Sequence, residues 1–229
     1  MENFILSRTL VFGDIHGCLS QFDAILAAVA PTGEDHLILL GDCVDRGPDS
    51  AGVLKRVLRL AVDHRVTFIM GNHEEMRLAA RDSHDKYVDW LKNGGDDTLR
   101  SYGGSRGSLR DVQPEHWQFL EERLVDFLET DTHIFVHANA YPDMPMSEQP
   151  SYMLRWERCD RITAHESGKT IICGHTPQKS GEPMNRGYAI CLDTNACGGG
   201  PLTCMDADSG RIWQATSGGS VRRAHISDF

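Results

Sequence analysis

Short apolar runs recur along the chain, and nearly all of them stop at a glycine or a polar cluster. The first three span residues 9–12, 37–40 and 66–70 and are built mostly from Val, Ile, Leu and Phe. They are too short for helices and read as buried strands. Between them, Leu19, Phe22, Ile25, Leu26 and Val29 recur at helical spacing, and so do Val53, Leu54, Val57, Leu58 and Ala61. Strand alternating with amphipathic helix predicts βαβ units, hence an α/β fold around a largely parallel sheet.

Strand-like runs return at 132–136, 170–173, 188–192 and 202–205, with a weaker one at 212–215. From Glu75 to about Arg123 the pattern is helical, broken by the glycine-rich stretch NGGDDTLRSYGGSRGS, and is expected to form a cap. ANAYPDMPMSEQPS (138–151) reads as a proline-rich loop, and the tail at about 217–229 has little to bury and is expected to be loose. No internal repeat or linker divides the chain.

The polar clusters change the picture. In a parallel sheet, ligands bind beyond the carboxyl ends of the strands. There the sequence places GDIHG (13–17), GDCVDRG (41–47), GNHE (71–74), FVHA (135–138) and ICGHT (172–176). Five strand ends thus offer Asp14 and His16, Asp42 and Asp45, Asn72 and His73, His137, and His175. Asp, His and an Asn carbonyl are the donors that hold manganese, iron or zinc. Side chains alternate along an extended segment, so Asp14 and His16 point the same way. A carboxylate shared between two cations, with Asp42 the candidate, would offset the cost of burying it. A lone histidine at a strand end is usually structural, and His36, His64, His84, His116, His133, His165 and His225 are read that way. Five such ends in one chain are hard to obtain from capping alone.

Composition sets bounds. Forty per cent hydrophobic and 24% charged residues over 229 positions suffice for a sizeable core, and a net charge of −10 disfavours long nucleic acid as a partner. Seven cysteines without a CxxC pair fit reduced thiols rather than a disulfide framework. Cys18 and Cys43 are read as packing residues. Without a signal-peptide pattern or an apolar run of roughly 18 residues, a cytoplasmic protein off the membrane is expected.

Taken in order, GDIHG, GDCVDRG, GNHE, VHA and GHT resemble the metal-dependent phosphoprotein phosphatases. WLKNGGDDTLRSYG (90–103) is similar to their bacterial and phage serine/threonine branch, within the calcineurin-like metallophosphoesterase superfamily. The resemblance implies a central β-sandwich flanked by helices (four layers, α/β/β/α), replacing the single sheet, with 1–229 as one catalytic domain. It implies one metal on Asp14, His16 and Asp42 and a second on Asp42, Asn72, His137 and His175, two divalent ions in all, with manganese expected. His73 matches the general acid, Asp45 the carboxylate that orients it, and Arg46 and Arg155 the phosphate-binding arginines. The implied reaction is hydrolysis of phosphoserine or phosphothreonine in proteins or peptides by a hydroxide bridging the metals. Symmetrical diadenosine tetraphosphate hydrolase, or a broad phosphoesterase, is the rival. Dinucleotide hydrolases of this family commonly carry Ala where Asp45 stands. A catalytically inert binding module is the non-enzymatic alternative. Asn139, where relatives have Gly, is expected to alter access to the second metal. Asp193 is left outside the ligand set.

Overall fold

The computed structural model describes residues 7–229. Twelve strands form two sheets. The first holds β1 (Thr9–Phe12), β2 (His36–Leu39), β3 (Arg65–Ile69), β4 (Leu124–Val125), β10 (Leu202–Asp206), β11 (Arg211–Ala215) and β12 (Val221–His225), in the order β12-β11-β10-β1-β2-β3-β4. The second holds β5 (Phe127–Glu129), β6 (His133–Val136), β7 (Thr170–Cys173), β8 (Met184–Asn185) and β9 (Ala189–Cys191), in the order β5-β6-β7-β9-β8. β1 through β4 run parallel, as do β6, β7 and β9, while β10, β11 and β12 add an antiparallel flank. The fold is therefore α/β with two mixed sheets. The single parallel sheet suggested by periodicity is corrected.

Alternation along the strands shows how the sheets meet. Val11, Ile38, Leu40 and Ile69 of the first sheet pack against Phe135, Ile172 and Ile190 of the second. Their neighbours Leu10, Phe12, Leu37 and Leu39 face outward onto helices α1 (Leu19–Val29) and α2 (Ser50–Asp63). On the far side Ile134, Val136, Ile171 and Cys173 face a thin layer containing the short helix α7 (Ser151–Arg155). Both faces of these central strands are apolar, so they read as unbroken hydrophobic runs with no polar face to betray a second sheet. Phe12 meets Phe22 edge-on, and Phe68 stacks on Phe119 of α6 (Pro114–Glu122).

The region after β3 is helical, with α3 (Asn72–Ala79), α4 (His84–Trp90) and α5 (Asp96–Gly103) preceding α6. A wide turn, Leu91–Gly95, joins α4 to α5 and needs Gly94 at φ 103°. A Cβ there would stand 2.7 Å from the Arg46 nitrogen, which donates to the Gly94 carbonyl. The tail departs from expectation: Val221–Ala215 through His225–Arg211 pair as the edge of the first sheet. Its exposed residues are Arg222, Arg223 and His225, so hydropathy alone gave no reason to expect a strand. Among the described residues no helix is long and apolar enough to cross a membrane.

One ion pair ties the start of β1 to the segment before β2. Asp35 is fully buried and accepts from the Arg8 backbone, the Arg8 guanidinium and the Thr32 backbone. Burial pushes its carboxyl up, but these bonds and the Arg8 charge prevail and hold it at about 2, below the usual 3.8. The stabilisation is complete above the ordinary carboxylate value and is lost as pH falls toward 2. Asp35→Asn is expected to cost about 2 kcal/mol at neutral pH. The difference from wild type in urea unfolding should shrink steadily below pH 4 or so, and a pH-independent difference would contradict this role.

Candidate active site

Every strand end singled out in the sequence opens onto one buried cluster. Five of its residues hold left-handed backbone: His16 (φ 44°), Asp42 (49°), Asp45 (70°), Arg46 (67°) and His175 (63°). Such geometry costs of order 1 kcal/mol or more per residue and persists only where the surroundings enforce it. Gly41 shows one source of enforcement. It sits at φ 100°, and a Cβ would lie 2.7 Å from the Gly71 nitrogen and 2.9 Å from His137 Nδ1.

Asp42 lies at the centre, 2% exposed. Its Oδ2 is 3.5 Å from His16 Nε2 and 4.0 Å from His73 Nε2, and its Oδ1 is 3.5 Å from His137 Nε2. Burial alone would raise its pKa, but His137, His73, His16 and His175 together lower it. The donor atoms fall into two groups that share this residue: His16, Asp42 and His73, and Asp42, His137 and His175. Asp14 sits beside them, accepting from the His175 backbone at 3.1 and 3.0 Å. Burial, then the charges of Asp193 and Asp42, push Asp14 well above the carboxylate range. Asp193 is likewise raised by burial, to about 7.

The imidazoles are aimed by carbonyls. His16 Nδ1 donates to Val44 O at 2.8 Å, His137 Nδ1 to Leu40 O at 2.7 Å, and His175 Nε2 to Trp156 O at 2.9 Å. A carbonyl can only accept, so each ring presents its other nitrogen as a lone pair to the cluster. Burial first of all keeps these rings neutral, His16 down to about 3 and His175 to about 4. The Asn72 amide oxygen stands 3.1 Å from His137 Nε2 and 3.1 Å from His175 Nδ1. Acceptors facing acceptors at that distance, beside a buried carboxylate, fit divalent cations between them.

His73 is different. Its Nδ1 donates to Asp45 Oδ2 at 2.8 Å, while its Nε2 is buried without a partner. Burial opposes its positive charge, but Asp42 and the hydrogen bond to Asp45 outweigh it and raise the pKa. Asp45, fully buried, also accepts from Trp90 Nε1 at 2.9 Å and Thr98 Oγ1 at 2.6 Å. Its backbone nitrogen donates to Ser50 and Thr98 hydroxyls. The helical region after β3 therefore anchors the carboxylate that grips His73. Trp90 and Thr98 were not singled out in the sequence, since 45 and 53 positions separate them from Asp45. Glu74 was quoted within GNHE but given no role. Fully buried, it accepts from the backbones of Asp42, Cys43 and Gly71, and burial and Asp42 raise it to about 7.

The arginines divide. Arg46 lies exposed at the rim, its Nη1 donating to His16 Nε2 at 3.2 Å. Arg155 is held by Glu75 and Asp126, each at 2.5 Å, so its Nη groups are already paired. Asn139 does not face the cluster: it donates to Arg158 O and accepts from the Ala140 nitrogen. Of the histidines read as structural, His36, His116 and His165 bond to Thr67, Tyr102 and Ser167.

Residues 7–179 match the pattern of the calcineurin-like phosphoesterases. The chain belongs to that family. As a member it is a metallophosphoesterase hydrolase, and the donor set above is consistent with the divalent metals that the family implies. This phosphoesterase is 34% identical over 205 residues to serine/threonine-protein phosphatase 1 of Salmonella typhimurium strain LT2, covering 84% of this chain and 88% of that one. It is 27% identical over 270 residues to the symmetrical bis(5'-nucleosyl)-tetraphosphatase of Chromohalobacter salexigens, covering 88% and 95%. Among solved structures, a cold-active protein tyrosine phosphatase superposes with a TM-score of 0.65 at 16% identity, covering 96% of this chain and 80% of that one. A metallophosphoesterase from Sphaerobacter thermophilus gives 0.56 at 19%, covering 97% and 90%. These two likenesses concern the fold.

Thr98→Val keeps the shape but removes a donor to a buried carboxylate and an acceptor for the Asp45 nitrogen. It is expected to cost about 1–3 kcal/mol of stability in urea unfolding, and a loss within error of zero would contradict the anchoring.

Proposed function

We propose that this phosphoesterase hydrolyses phosphomonoesters, with phosphoserine and phosphothreonine in proteins or peptides as its substrates. The observation that carries the reading is the His73–Asp45 pair with its Trp90 and Thr98 supports, leaving His73 Nε2 buried and unpartnered.

The chemistry asks for such a group. A serine or threonine alkoxide is a poor leaving group and departs only if it is protonated as the P–O bond breaks. His73 carries its second proton on Nε2, with Nδ1 locked to Asp45, so the donor cannot rotate away. Asp45 is buried and accepts from three donors, and its hydrogen bond, after the charge of Asp42, raises the His73 pKa. Arg46, exposed and held at its backbone by Gly94, would bind the phosphoryl oxygens through its guanidinium donors. Arg155 would join it on exchanging its exposed partner Asp126 for phosphate.

Asp14, His16 and Asp42 would hold one divalent cation, and Asp42, Asn72, His137 and His175 a second. Bound there, two such ions would supply Lewis acidity toward a water molecule and the phosphoryl oxygens. The ligand set suits manganese, with iron and zinc also compatible. Glu74 fixes the backbone of Asp42 and Cys43, and so the direction of the shared carboxylate.

A pyrophosphate-linked nucleotide is a better leaving group and needs less help from an acid. Dinucleotides are therefore the rival substrate, and a relative carries that name. The test is kcat/KM of the manganese-loaded enzyme on a phosphothreonine peptide and on diadenosine tetraphosphate, each with wild type and His73→Asn. The peptide should be preferred, and His73→Asn should lower kcat on it by roughly 10²–10⁴-fold, with a much smaller loss on an aryl phosphate. Preference for the dinucleotide, or equal losses on peptide and aryl phosphate, would contradict the proposal.

A further inference from the structure

A second cluster of donor atoms lies outside the site just described. Cys173 ends β7 and Cys191 ends β9, and the two are direct register partners. Both point away from the sandwich interior into the outer apolar layer, where Cys159, from the turn after α7, meets them. The three sulfurs lie within 4.8 Å of one another, and all three residues are fully buried. No disulfide joins them. In sequence they are 14 and 18 positions apart, so no spacing motif marks them.

Coordination and charge select the ligand. Three sulfurs each about 2.3 Å from a common centre stand roughly 4 Å apart, inside the observed limit. The apolar surroundings are Ile134, Val136, Leu154 and Ile162, and the neighbouring Arg158 is already paired with Asp160 at 2.6 Å. A divalent cation on three thiolates would leave a net negative charge in that shell, and burying it without a partner is costly. A tetrahedral ion would also need a fourth donor. The nearby Thr176 hydroxyl, which accepts from the Cys159 nitrogen at 3.0 Å, is a neutral oxygen and offsets none of the thiolate charge. A three-coordinate, trivalent thiophile meets neither difficulty, because its adduct with three thiols is neutral.

We propose that Cys159, Cys173 and Cys191 form a three-thiol site for a soft trivalent thiophile, of which arsenous acid is the simplest. The step balances without redox. Three As–O bonds break and three As–S bonds form, and each thiol proton leaves with a hydroxyl group as water. The site adjoins the catalytic turn. Cys191 Sγ donates to the carbonyls of Gly174 and Thr176, at 3.3 and 3.5 Å, on either side of His175. Condensation consumes that S–H, and with it both restraints on the turn that holds His175 left-handed. Occupation therefore slows turnover.

The experiment incubates the reduced full chain with arsenite, desalts it, and reads intact mass, X-ray absorption fine structure and turnover of an aryl phosphate. One arsenic per chain is expected, with the mass gain of arsenic less three hydrogens, three sulfur neighbours, and turnover falling in step with the adduct. Cys159→Ala and Cys191→Ala should each abolish the three-sulfur adduct while far-ultraviolet circular dichroism stays unchanged. Cys197→Ala, outside the cluster, should keep it. Absence of an adduct in wild type, a two-sulfur adduct that retains a hydroxyl, or a three-sulfur adduct that survives Cys159→Ala would overturn the proposal. The wild-type sulfur count decides even if a variant fails to fold. An adduct that leaves turnover intact would overturn the link to His175.

Discussion

The rest of the site is arranged around one buried carboxylate. Asp42 lies at the end of an apolar strand with its oxygens 3.5–4.0 Å from three imidazoles, and water does not solvate it. Burying a charge is tolerated only with close compensation. His73 of α3 compensates directly, its backbone donating to Asp42 at 3.1 Å and its ring favouring the charged form. The neutral rings of His16, after β1, and of His137 and His175, after β6 and β7 of the other sheet, turn lone pairs to a space that cations would fill. Packing the two sheets face to face is what brings the second pair within reach. The left-handed backbone at five site residues is a local cost of that convergence, held by Gly41, Glu74 and the carbonyls that aim the rings.

A second chain of dependence runs through Asp45. Its carboxylate takes a hydrogen bond from His73, a site residue, and from Trp90 and Thr98, residues of the helical insertion. The insertion therefore holds the carboxylate that is paired with His73. Gly94 fixes the contact on the other side by bonding the Arg46 backbone. A change in the 90–98 segment is transmitted to His73 and to Arg46 together, through two short and separate connections.

Much of this was legible in the chain. Asp14, His16, Asp42, Asn72, His73, His137 and His175 each follow a short apolar run, so strand ends and candidate ligands could be read together. The second sheet came only from the motif resemblance, because HIFV, TIIC and AIC are apolar on both faces and alternation has nothing to report. The strands β4 and β8 are two residues long, below what periodicity can register. The Val221–His225 strand is mostly polar and was read as a loose tail, but its backbone pairing needs no hydrophobic face. Trp90, Thr98 and the three-cysteine cluster arise from tertiary proximity alone. Arg155 illustrates another limit: the motif resemblance marked it for phosphate, but its ion pairs with Glu75 and Asp126 leave no trace in local sequence.

The central claim is that Asp42 is shared between two cations. It is tested most directly by metal analysis of manganese-loaded wild type and Asp42→Asn, with circular dichroism to establish that the fold is kept. About two ions per chain are expected in wild type, and the neutral amide should lose both, because each site loses its common anionic donor. Full occupancy in Asp42→Asn would contradict the account, and so would loss of a single ion with the other bound as tightly as before.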